Sequence, residues 1–286
     1  MGPAPKVAVV TDSTALLPPD VRLPGAHVVP LQIVIDDDCF GDGAPEVSSE
    51  AVVAALTAKR RVTTSRPSPA ELQDLYDRLA QEGYAEIVSV HLSGDMSGTL
   101  ESAQLAARDA RVPVVVVDTR AVGPCVGFAV AAAVQAVAGG ASAEEAAKAA
   151  LARADQTRSL FYVDSLEAMR RGGRIGVAAH LVGSALAVKP LLTVEDGRVV
   201  LREKVRTSQR ALARLEVLAL EAAGERSVEV VVAHLAAPDR AERLAQSLTE
   251  KLGDRLAAPV RWGEVGAALG VHVGPGLLAV VVAPAL

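Results

Sequence analysis

The sequence predicts a two-domain α/β protein, with a parallel sheet in an N-terminal domain and a mixed α/β arrangement in a C-terminal domain. The chain has 286 residues, which is too long for one ordinary core and suits two domains of roughly 100–200 residues each. Apolar runs alternate with helical stretches in the first half, as expected for a sheet covered by helices on both faces. A hairpin signal in the second half indicates a change of topology.

The first half of the chain supplies four strand candidates and well-marked helix starts. The strand candidates are, in order, KVAVVTDS, HVVPLQIVID, EIVSVHL and VPVVVVDT. Ser68 with Glu71, and Ser142 with Glu145, have the spacing of a capping box, in which a serine and a glutamate three residues later bond each other's backbone N–H. Asp164 precedes Glu167 at the same spacing and predicts a third cap.

The second domain begins where the composition changes, near Gln156. We therefore expect an N-terminal domain over residues 1–156 and a C-terminal domain over residues 157–286. EDGR lies between two apolar runs and predicts a hairpin. The later segments are SVEVVVAHL, a helix, PVRWGEVG and HVGPGLLAVVVAPAL. Only 2% of the residues are aromatic, so we expect a core and a ligand cavity built from Ala, Val and Leu.

Charge and composition argue against several classes of protein. The net charge is −5 and no basic tract is longer than KRR, which argues against nucleic-acid binding. Cys39 and Cys125 match no metal or redox spacing; we expect reduced thiols, with a disulfide as the alternative. The N-terminus lacks the apolar run of a signal peptide, and residues 126–138 form an apolar helix too short to span a bilayer. We therefore expect a cytoplasmic protein without stable membrane insertion.

Hydroxyl and carboxyl groups gather where the predicted strands end. TTSRPSP leads into the helix capped by Ser68, and the other such residues are Asp12, Ser13, Thr14, Ser93, Ser97, Asp118 and Thr119. Each of them alone is better explained as a cap or turn residue. Ligands of doubly wound sheets bind beyond the carboxyl ends of the strands, so the convergence of these groups predicts a binding site there.

Two glycine-rich turns strengthen this prediction. In SGDMSG, glycine allows close approach of the backbone and the following helix start offers unpaired N–H groups, which suits a small anion. RRGGRIG brings Arg174 near backbone that an anion could also approach, although no Gly-Lys-Ser/Thr follows as in a phosphate loop. His272 precedes a rigid Gly-Pro-Gly turn.

Seven segments in order resemble the DegV family of fatty-acid-binding proteins and cover nearly the whole chain. They are VVTDSTALLP, VVPLQIVID, TTSRPSP, LSGDMSGTLESA, RRGGRIG, VKPLLTVEDGRVVLREKVRT and GVHVGPG. The resemblance implies non-covalent binding of one long-chain fatty acid, such as palmitate, with its carboxylate between the domains and its tail buried. It implies a protein that is not an enzyme and needs neither metal nor cofactor. Such a protein presents the fatty acid to a fatty acid kinase, which forms the acyl-phosphate.

The resemblance also implies roles for individual residues. The carboxylate ligands are Thr64, Ser97, Gly98 and His272. Arg174 and Arg206 match positions of the surface that serves the partner and phosphotransfer, with Arg206 at the mouth of the site.

Some positions depart from the family pattern, and two other functions stay open. Arg66 replaces the usual Gln, which predicts an extra positive charge at the mouth, and Leu16 stands where Asp is common. One alternative is a serine-dependent hydrolase with Ser97 as nucleophile and His272 as base, although LSGDMSGT is not a Gly-x-Ser-x-Gly elbow and no acid partner can be assigned. The other is a sugar or nucleotide binder on a generic α/β scaffold.

Overall fold

The structure is a computed structural model that describes residues 6–15, 25–176 and 189–285. Its strands are β1 (Val7–Asp12), β2 (Ala26–Val29), β3 (Gln32–Ile35), β4 (Asp38–Gly41), β5 (Val62–Ser65), β6 (Glu86–His91), β7 (Val114–Asp118), β8 (Arg158–Tyr162), β9 (Lys189–Glu195), β10 (Arg198–Val205), β11 (Val228–His234), β12 (Arg261–Glu264) and β13 (Leu278–Pro284). Its α-helices are α1 (Ser49–Thr57), α2 (Pro69–Gln81), α3 (Thr99–Arg108), α4 (Pro124–Ala138), α5 (Ala143–Gln156), α6 (Glu167–Arg171), α7 (Ser208–Ala223), α8 (Pro238–Leu252) and α9 (Ala267–Val273).

Three sheets result, and they confirm the predicted fold class. A parallel sheet has the strand order β2-β1-β6-β7, and a mixed sheet has the order β10-β9-β8-β13-β11-β12. The third sheet is small and antiparallel, with the order β4-β3-β5. The protein is therefore a two-domain α/β protein with a parallel sheet in its N-terminal half and a mixed sheet in its C-terminal half.

The expected second strand, HVVPLQIVID, is two strands in two different sheets. β2 pairs with β1 in the parallel sheet, whereas β3 pairs with β4 and β5 in the antiparallel sheet. Pro30 lies at the break, and proline lacks the N–H that a continuous strand would donate. The next N–H, that of Leu31, donates to the Ser13 hydroxyl at 3.1 Å. The prediction of a single strand was wrong because the apolar run continues through the break.

Helices and sheets stack in five layers, with α4 and α5 in the middle. On one side of the parallel sheet lie α2 and α3, and on the other side α4 and α5 share one apolar cluster with it. The same cluster includes Val231 and Val281 from the mixed sheet, whose other face packs on α7 and α8. The predicted apolar helix, α4, is largely buried. This core joins both halves of the chain and therefore marks no division between them. The domain boundary near Gln156 stays a prediction.

The last helix returns to the N-terminal half. Three residues of α9, namely Ala267, Ala268 and Val271, pack in one apolar cluster with Ile33 of β3 and Val52 of α1. The small antiparallel sheet is thus completed by a helix from near the C-terminus. This return places α9 beside β5.

The structure confirms two predicted helix caps and the predicted hairpin turn. Both capping boxes, at Ser68 and at Ser142, are formed. The EDGR hairpin is formed by β9 and β10, with φ of 50° at Asp196 and 77° at Gly197, the positive values that such a turn requires.

The two cysteines are free thiols, one exposed and one buried. In the described part of the chain, none of the helices combines the length and apolar composition needed to cross a bilayer.

The predicted cap at Asp164 is wrong. The N–H of Glu167 donates instead to the Ser165 hydroxyl at 3.1 Å, and α6 begins after Leu166 without a side-chain cap. Asp164 accepts a hydrogen bond from the Tyr162 hydroxyl at 2.6 Å and pairs with Arg240 at 3.1 Å. The hydrogen bond from Tyr162 and the ion pair with Arg240 therefore occupy this carboxylate in place of the predicted cap.

Candidate functional site

A mostly apolar cavity lies between the two halves of the molecule. Its apolar lining consists of Leu31, Leu92, Met96, Val122, Phe161, Met169, Val199, Ala268, Leu269 and Val273, and its polar lining of Thr14, Thr64, Ser97, Arg174 and His272. The expectation of an Ala, Val and Leu lining was therefore wrong in part, since one phenylalanine and two methionines contribute. Methionine is flexible and fills irregular space, so this lining can adapt to different apolar ligands.

Thr64 and His272 form the most direct polar contact in the cavity wall. The Thr64 Oγ1 atom lies 2.7 Å from His272 Nε2, although the residues are 208 positions apart. Thr64 is on β5, where it pairs with Ile33 of β3, and His272 is in the last turn of α9. Thr64 is thus not at the edge of the parallel sheet, where we expected the hydroxyl groups to converge. The antiparallel sheet and α9 bring it to the site instead.

The ring of His272 is neutral at physiological pH. Burial, and to a smaller extent the positive charge of Arg174, lower its pKa to about 4. Its Nδ1 atom is buried and has no hydrogen-bond partner among the described residues. Gly172 lies against this nitrogen so closely that a β-carbon there would overlap the ring. The ring is therefore held by packing on one side and by Thr64 on the other.

The helix that carries His272 is anchored at its start by a carboxylate that sequence reasoning missed. The Asp42 Oδ1 atom accepts a hydrogen bond from the N–H of Ala268 at 3.3 Å. Burial raises the pKa of Asp42 above its usual range. Asp42 follows β4, so the small sheet both carries Thr64 and fixes the start of α9. Nothing local in the sequence around Asp42 signals this contact.

Ser97 lies in the turn between β6 and α3, at the cavity. Its hydroxyl bonds the Thr99 hydroxyl at 2.9 Å and accepts from the Thr99 N–H at 3.2 Å. Gly98 caps the start of α3, and its own N–H makes no hydrogen bond within the described residues. This N–H at a helix start can donate to an anion.

Arg66 covers Gly98 on the outer side. Its guanidinium donates to the Gly98 carbonyl at 3.2 Å and forms an ion pair with Glu101 on α3. The extra positive charge expected at the mouth is therefore compensated by a carboxylate. Leu16, the other departure from the family pattern, lies outside the described residues.

Ser93 joins the two halves of the molecule. Its hydroxyl donates to the Gly197 carbonyl at 2.8 Å, in the turn between β9 and β10, and accepts from the Asp95 N–H at 3.2 Å. Asp95 also pairs with Arg198 at 2.7 Å. Ser93 is thus engaged in holding the hairpin of the C-terminal half against the loop that carries Ser97.

The two arginines that the resemblance assigns to a partner surface lie in different places. Arg174 lines the cavity, and its guanidinium donates to the carbonyls of Met96 at 3.0 Å and Gly172 at 2.5 Å. Arg206 is exposed and does not line the cavity. Arg206 follows the last residue of β10, whereas the cavity residue Val199 lies near the first. The two residues are therefore roughly 20 Å apart along the strand. The structure therefore brings only Arg174 to the site.

A buried polar network lies beneath the site, and sequence reasoning missed it. The hydrogen-bonded chain runs from the Tyr76 hydroxyl to Ser89 Oγ (2.8 Å), from there to His91 Nε2 (2.7 Å), and from His91 Nδ1 to Asp12 Oδ2 (3.0 Å). Asp12 also bonds the N–H and the hydroxyl of Thr14, which lines the cavity. The register of the adjacent strands β1 and β6 pairs Thr11 with Val90, so Asp12 and His91 directly follow a paired position, and this is the signal that could have revealed the contact.

Burial and hydrogen bonding act in opposite directions on Asp12. Burial by itself would raise its pKa, but the hydrogen bond and charge of His91, with those from Thr14 and Leu92, hold the pKa below its usual value. Ser89, His91 and Asp12 are the residue types of a hydrolytic triad, yet all three have no exposed surface. No substrate can reach them, so this network is structural.

The geometry also speaks against the hydrolase that uses Ser97 and His272. The Ser97 hydroxyl is bonded to Thr99, and the His272 Nε2 atom is bonded to Thr64. A nucleophilic serine needs direct contact with its general base, and no such bond joins these two residues. Within the described residues, no group of three or more His, Cys, Asp or Glu side chains has the arrangement of a metal site.

Comparison with known proteins agrees with this architecture. Residues 6–285 match the DegV family model, whose description is "Uncharacterised protein, DegV family". A DegV domain-containing protein of Streptomyces coelicolor is 48% identical over 96% of this chain and 98% of its own.

Two solved structures are similar over nearly their whole length. A DegV family protein from Thermus thermophilus, described as fatty acid binding, is 30% identical with a TM-score of 0.89 and covers 98% of this chain and 100% of its own. DegV from Bacillus subtilis, described as a fatty acid binding protein, is 29% identical with a TM-score of 0.89 and covers 99% and 100%. The match over the whole described fold and the curated relatives together show that the chain belongs to the DegV family.

Proposed function

We propose that this protein binds one long-chain fatty acid non-covalently, with the tail in the apolar part of the cavity and the carboxylate at its polar wall. The observation that carries the proposal is an apolar cavity with the Thr64–His272 pair in its wall and Ser97 beside it. The solved relatives from Thermus thermophilus and Bacillus subtilis are described as fatty acid binding, which supports it.

The proton positions follow from the contact between Thr64 and His272. A neutral imidazole carries one N–H; if it is on Nε2, it donates to Thr64 Oγ1. The Thr64 hydroxyl hydrogen is then free to point at a ligand carboxylate. Ser97 supplies a second hydroxyl and Gly98 an N–H. In this arrangement His272 orients Thr64 and the carboxylate receives neutral donors.

Tail and head group contribute differently to binding. Burial of a methylene contributes about 0.8 kcal/mol, so a palmitoyl chain offers on the order of 11 kcal/mol before costs are subtracted. A buried carboxylate costs several kcal/mol unless it is hydrogen-bonded. The hydroxyls of Thr64 and Ser97 therefore remove a penalty and fix the orientation of the ligand. Neutral donors hold a carboxylate less firmly than a bidentate arginine would, which suits a ligand that is passed on.

The protein would then act as a carrier and not as an enzyme, without a metal or cofactor. It would present the bound fatty acid, for example palmitate, to a fatty acid kinase that forms the acyl-phosphate, in the cytoplasm. Arg174, at the cavity, and Arg206, away from it, are the residues proposed to serve the partner. The family likeness supports this part of the proposal, and the position of Arg174 beside His272 fits it.

Ligand identity and head-group contacts can be tested together. Mass spectrometry of small molecules released from the denatured protein should find a stoichiometric fatty acid. Thr64→Val and Ser97→Ala should each weaken palmitate binding by about 1–3 kcal/mol, because a buried acceptor loses its donor. Ser65→Ala is the matched control, since Ser65 is an exposed hydroxyl on the same strand and does not line the cavity. Wild-type affinity in the Thr64→Val, Ser97→Ala double variant would refute the head-group assignment.

Presentation to a kinase needs a paired measurement of palmitate binding and acyl-phosphate formation with a cognate enzyme. Arg206→Ala should leave binding nearly unchanged and reduce phosphorylation sharply. His272→Ala should impair both, and phosphorylation more than binding. Equal small losses in both assays for Arg206→Ala would identify it as an ordinary surface arginine.

A further inference from the structure

The turn that joins β6 to α3 is held in place from the C-terminal half of the molecule. We call residues 93–98 the donor turn, because they supply the Ser97 hydroxyl and the Gly98 N–H of the proposed head-group site. Three polar contacts fasten the donor turn to the other half: the Ser93 hydroxyl with the Gly197 carbonyl (2.8 Å), Asp95 with Arg198 (2.7 Å), and the Met96 carbonyl with the Arg174 guanidinium (3.0 Å). The first two of these contacts lie at the tip of the hairpin formed by β9 and β10.

Ser93 links the hairpin to the backbone of the donor turn. It is fully buried, and its N–H donates to the Ala121 carbonyl at 2.8 Å. Its own carbonyl accepts from two N–H groups, those of Met96 at 3.0 Å and Ser97 at 3.1 Å. The residue whose hydroxyl donates to the hairpin thus also bonds the backbone of Ser97. A shift of the hairpin tip is therefore transmitted through Ser93 to the hydroxyl at the cavity.

The hairpin tip fits closely against the N-terminal half. Gly197 has a φ of 77°, and a β-carbon on it would lie only 2.5 Å from the Ser93 hydroxyl oxygen. On the side of the turn after β7, the Arg120 guanidinium donates to the Asp196 carbonyl at 3.1 Å. The same hairpin carries Val199, which lines the apolar cavity. The hairpin therefore contacts the donor turn with its tip and the cavity with its first strand residues beyond the tip.

We propose that the β9–β10 hairpin positions the donors for the ligand carboxylate, and that Ser93 is the positioning residue through which it acts. The inference rests on the proposed function, because the donors matter only for a ligand with an anionic head group. It makes fatty-acid affinity depend on a contact between the two halves of the molecule. Since such coupling is reciprocal, the bound carboxylate in turn stabilises the docked hairpin.

The test compares palmitate with 1-hexadecanol, which has the same chain length and no carboxylate. Both affinities are measured by equilibrium dialysis with radiolabelled ligand. Ser93→Ala should weaken palmitate binding by about fivefold or more, because the hydrogen bond that holds the donor turn is lost. The affinity for 1-hexadecanol should change less than about twofold, since the apolar lining is kept. Glu195→Gln, at an exposed residue of the same hairpin that does not line the apolar cavity, should change neither affinity.

A charge exchange between the halves gives a second test at exposed positions. Arg198→Asp sets two carboxylates against each other and should weaken palmitate binding by about threefold. Adding Asp95→Arg restores an ion pair of opposite polarity and should return the affinity to within about twofold of the wild type. Neither residue is among those that line the apolar cavity in the described part of the chain. Recovery would therefore show that the contact between the halves sets the affinity.

Each other result has a distinct meaning. Equal weakening of both ligands by Ser93→Ala would show that Ser93 only supports the fold, and would overturn the inference. Unchanged palmitate affinity in Ser93→Ala, or no recovery in the exchanged pair, would overturn it as well. Failure of the wild type to bind palmitate at all would refute the proposed function instead. Circular dichroism spectra and unfolding midpoints verify that the variants are folded, and the exposed pair decides the question if Ser93→Ala does not fold.

Discussion

Two histidines of this protein sit in opposite situations, although both bond a hydroxyl group. His91 has no exposed surface and uses both ring nitrogens, one toward Ser89 and one toward Asp12. His272 bonds Thr64 through one nitrogen, while its other nitrogen has no partner among the described residues. The first histidine belongs to a completed network within the core. The second lies in a wall shared by two cavities.

Structural and functional polar groups in this fold differ in whether their hydrogen bonds are complete without a ligand. Buried polar networks stabilise a protein when every member is satisfied, and incomplete ones are costly unless something completes them. The network at His91 is complete without a ligand. The pair at His272 has unused hydrogen-bonding capacity at a cavity, which is the condition for binding. The comparison therefore predicts that changes at His91 affect stability and that changes around His272 affect binding or its pH dependence.

The largest expected effect is the loss of His91. His91→Leu leaves the Asp12 carboxylate buried without its main partner, and breaking a buried pair costs about 3–5 kcal/mol of unfolding free energy. Urea denaturation measures the loss, and the molecules that remain folded should still bind palmitate. Adding Asp12→Asn to His91→Leu should recover part of the stability, because no charge is then buried. A loss below about 1 kcal/mol in the single variant would contradict the structural role of the network.

The pH dependence of stability should come next in size. The pKa of His272 is about 4 in the folded state, against 6.5 for an unperturbed histidine, so the unfolded state binds the proton more readily. Stability contributed by the neutral ring is therefore complete above pH 6.5 and decreases as pH falls toward 4, by about 3 kcal/mol in all. Denaturation of the wild type and of His272→Gln over this range isolates the effect. The difference between their slopes should vanish above pH 7; parallel curves throughout would show that His272 is not responsible.

Two serines provide a matched comparison of intermediate size. Ser89→Ala removes a hydroxyl that bonds both Tyr76 and His91 in the core, and should cost about 2 kcal/mol of stability. Ser97→Ala removes a half-buried hydroxyl at the cavity and should cost less than about 1 kcal/mol of stability while weakening palmitate binding. Thermal unfolding and ligand titration of both variants give the result. If Ser89→Ala weakened binding more than Ser97→Ala, the distinction between network and site would be lost.

The smallest effect is expected for the exposed ion pair at the mouth. Arg66→Gln, which restores the residue usual in the family, removes the pair with Glu101 and should change stability by less than about 1 kcal/mol. Palmitate affinity should also stay nearly constant, because Glu101 already compensates the charge of Arg66. Glu101→Gln is the informative partner variant, since it leaves Arg66 uncompensated beside Gly98. A rise in palmitate affinity with Glu101→Gln alone would show that the uncompensated charge of Arg66 favours binding of the carboxylate.

Much of the fold was predictable from local patterns. Apolar runs predicted the parallel strands, paired Ser and Glu predicted two helix starts, and EDGR predicted the hairpin of β9 and β10. These signals act within a few residues, where strand alternation, capping and turn geometry are decided. The prediction at Asp164 was wrong because this side chain is held by a residue that is distant in the sequence. Its partner Arg240 lies 76 residues away, and a local spacing carries no information about such a partner.

The roles of the individual site residues came from the family resemblance, whereas residue chemistry alone had already singled out Ser97, Arg174 and His272. Motif positions led to Thr64, Ser97, Gly98, Arg174 and His272, and all of these except Gly98 line the cavity. The same reasoning led to Arg206, which the structure leaves at the other end of β10. Strand-end reasoning pointed to the correct side of the parallel sheet, but it could not show that Thr64 belongs to another sheet.

The class of the fold, the parallel strands and the hydroxyl-rich turns follow from local sequence patterns, because each depends on neighbours along the chain. Packing between distant elements sets which of those turns meet. The break at Pro30 created a second sheet, Asp42 of that sheet anchored α9, and α9 brought His272 to Thr64 across 208 residues. Contacts between such distant residues follow from how sheets and helices stack around a shared core. That packing, and no local pattern, sets the wall that Thr64 and His272 form between two neighbouring cavities.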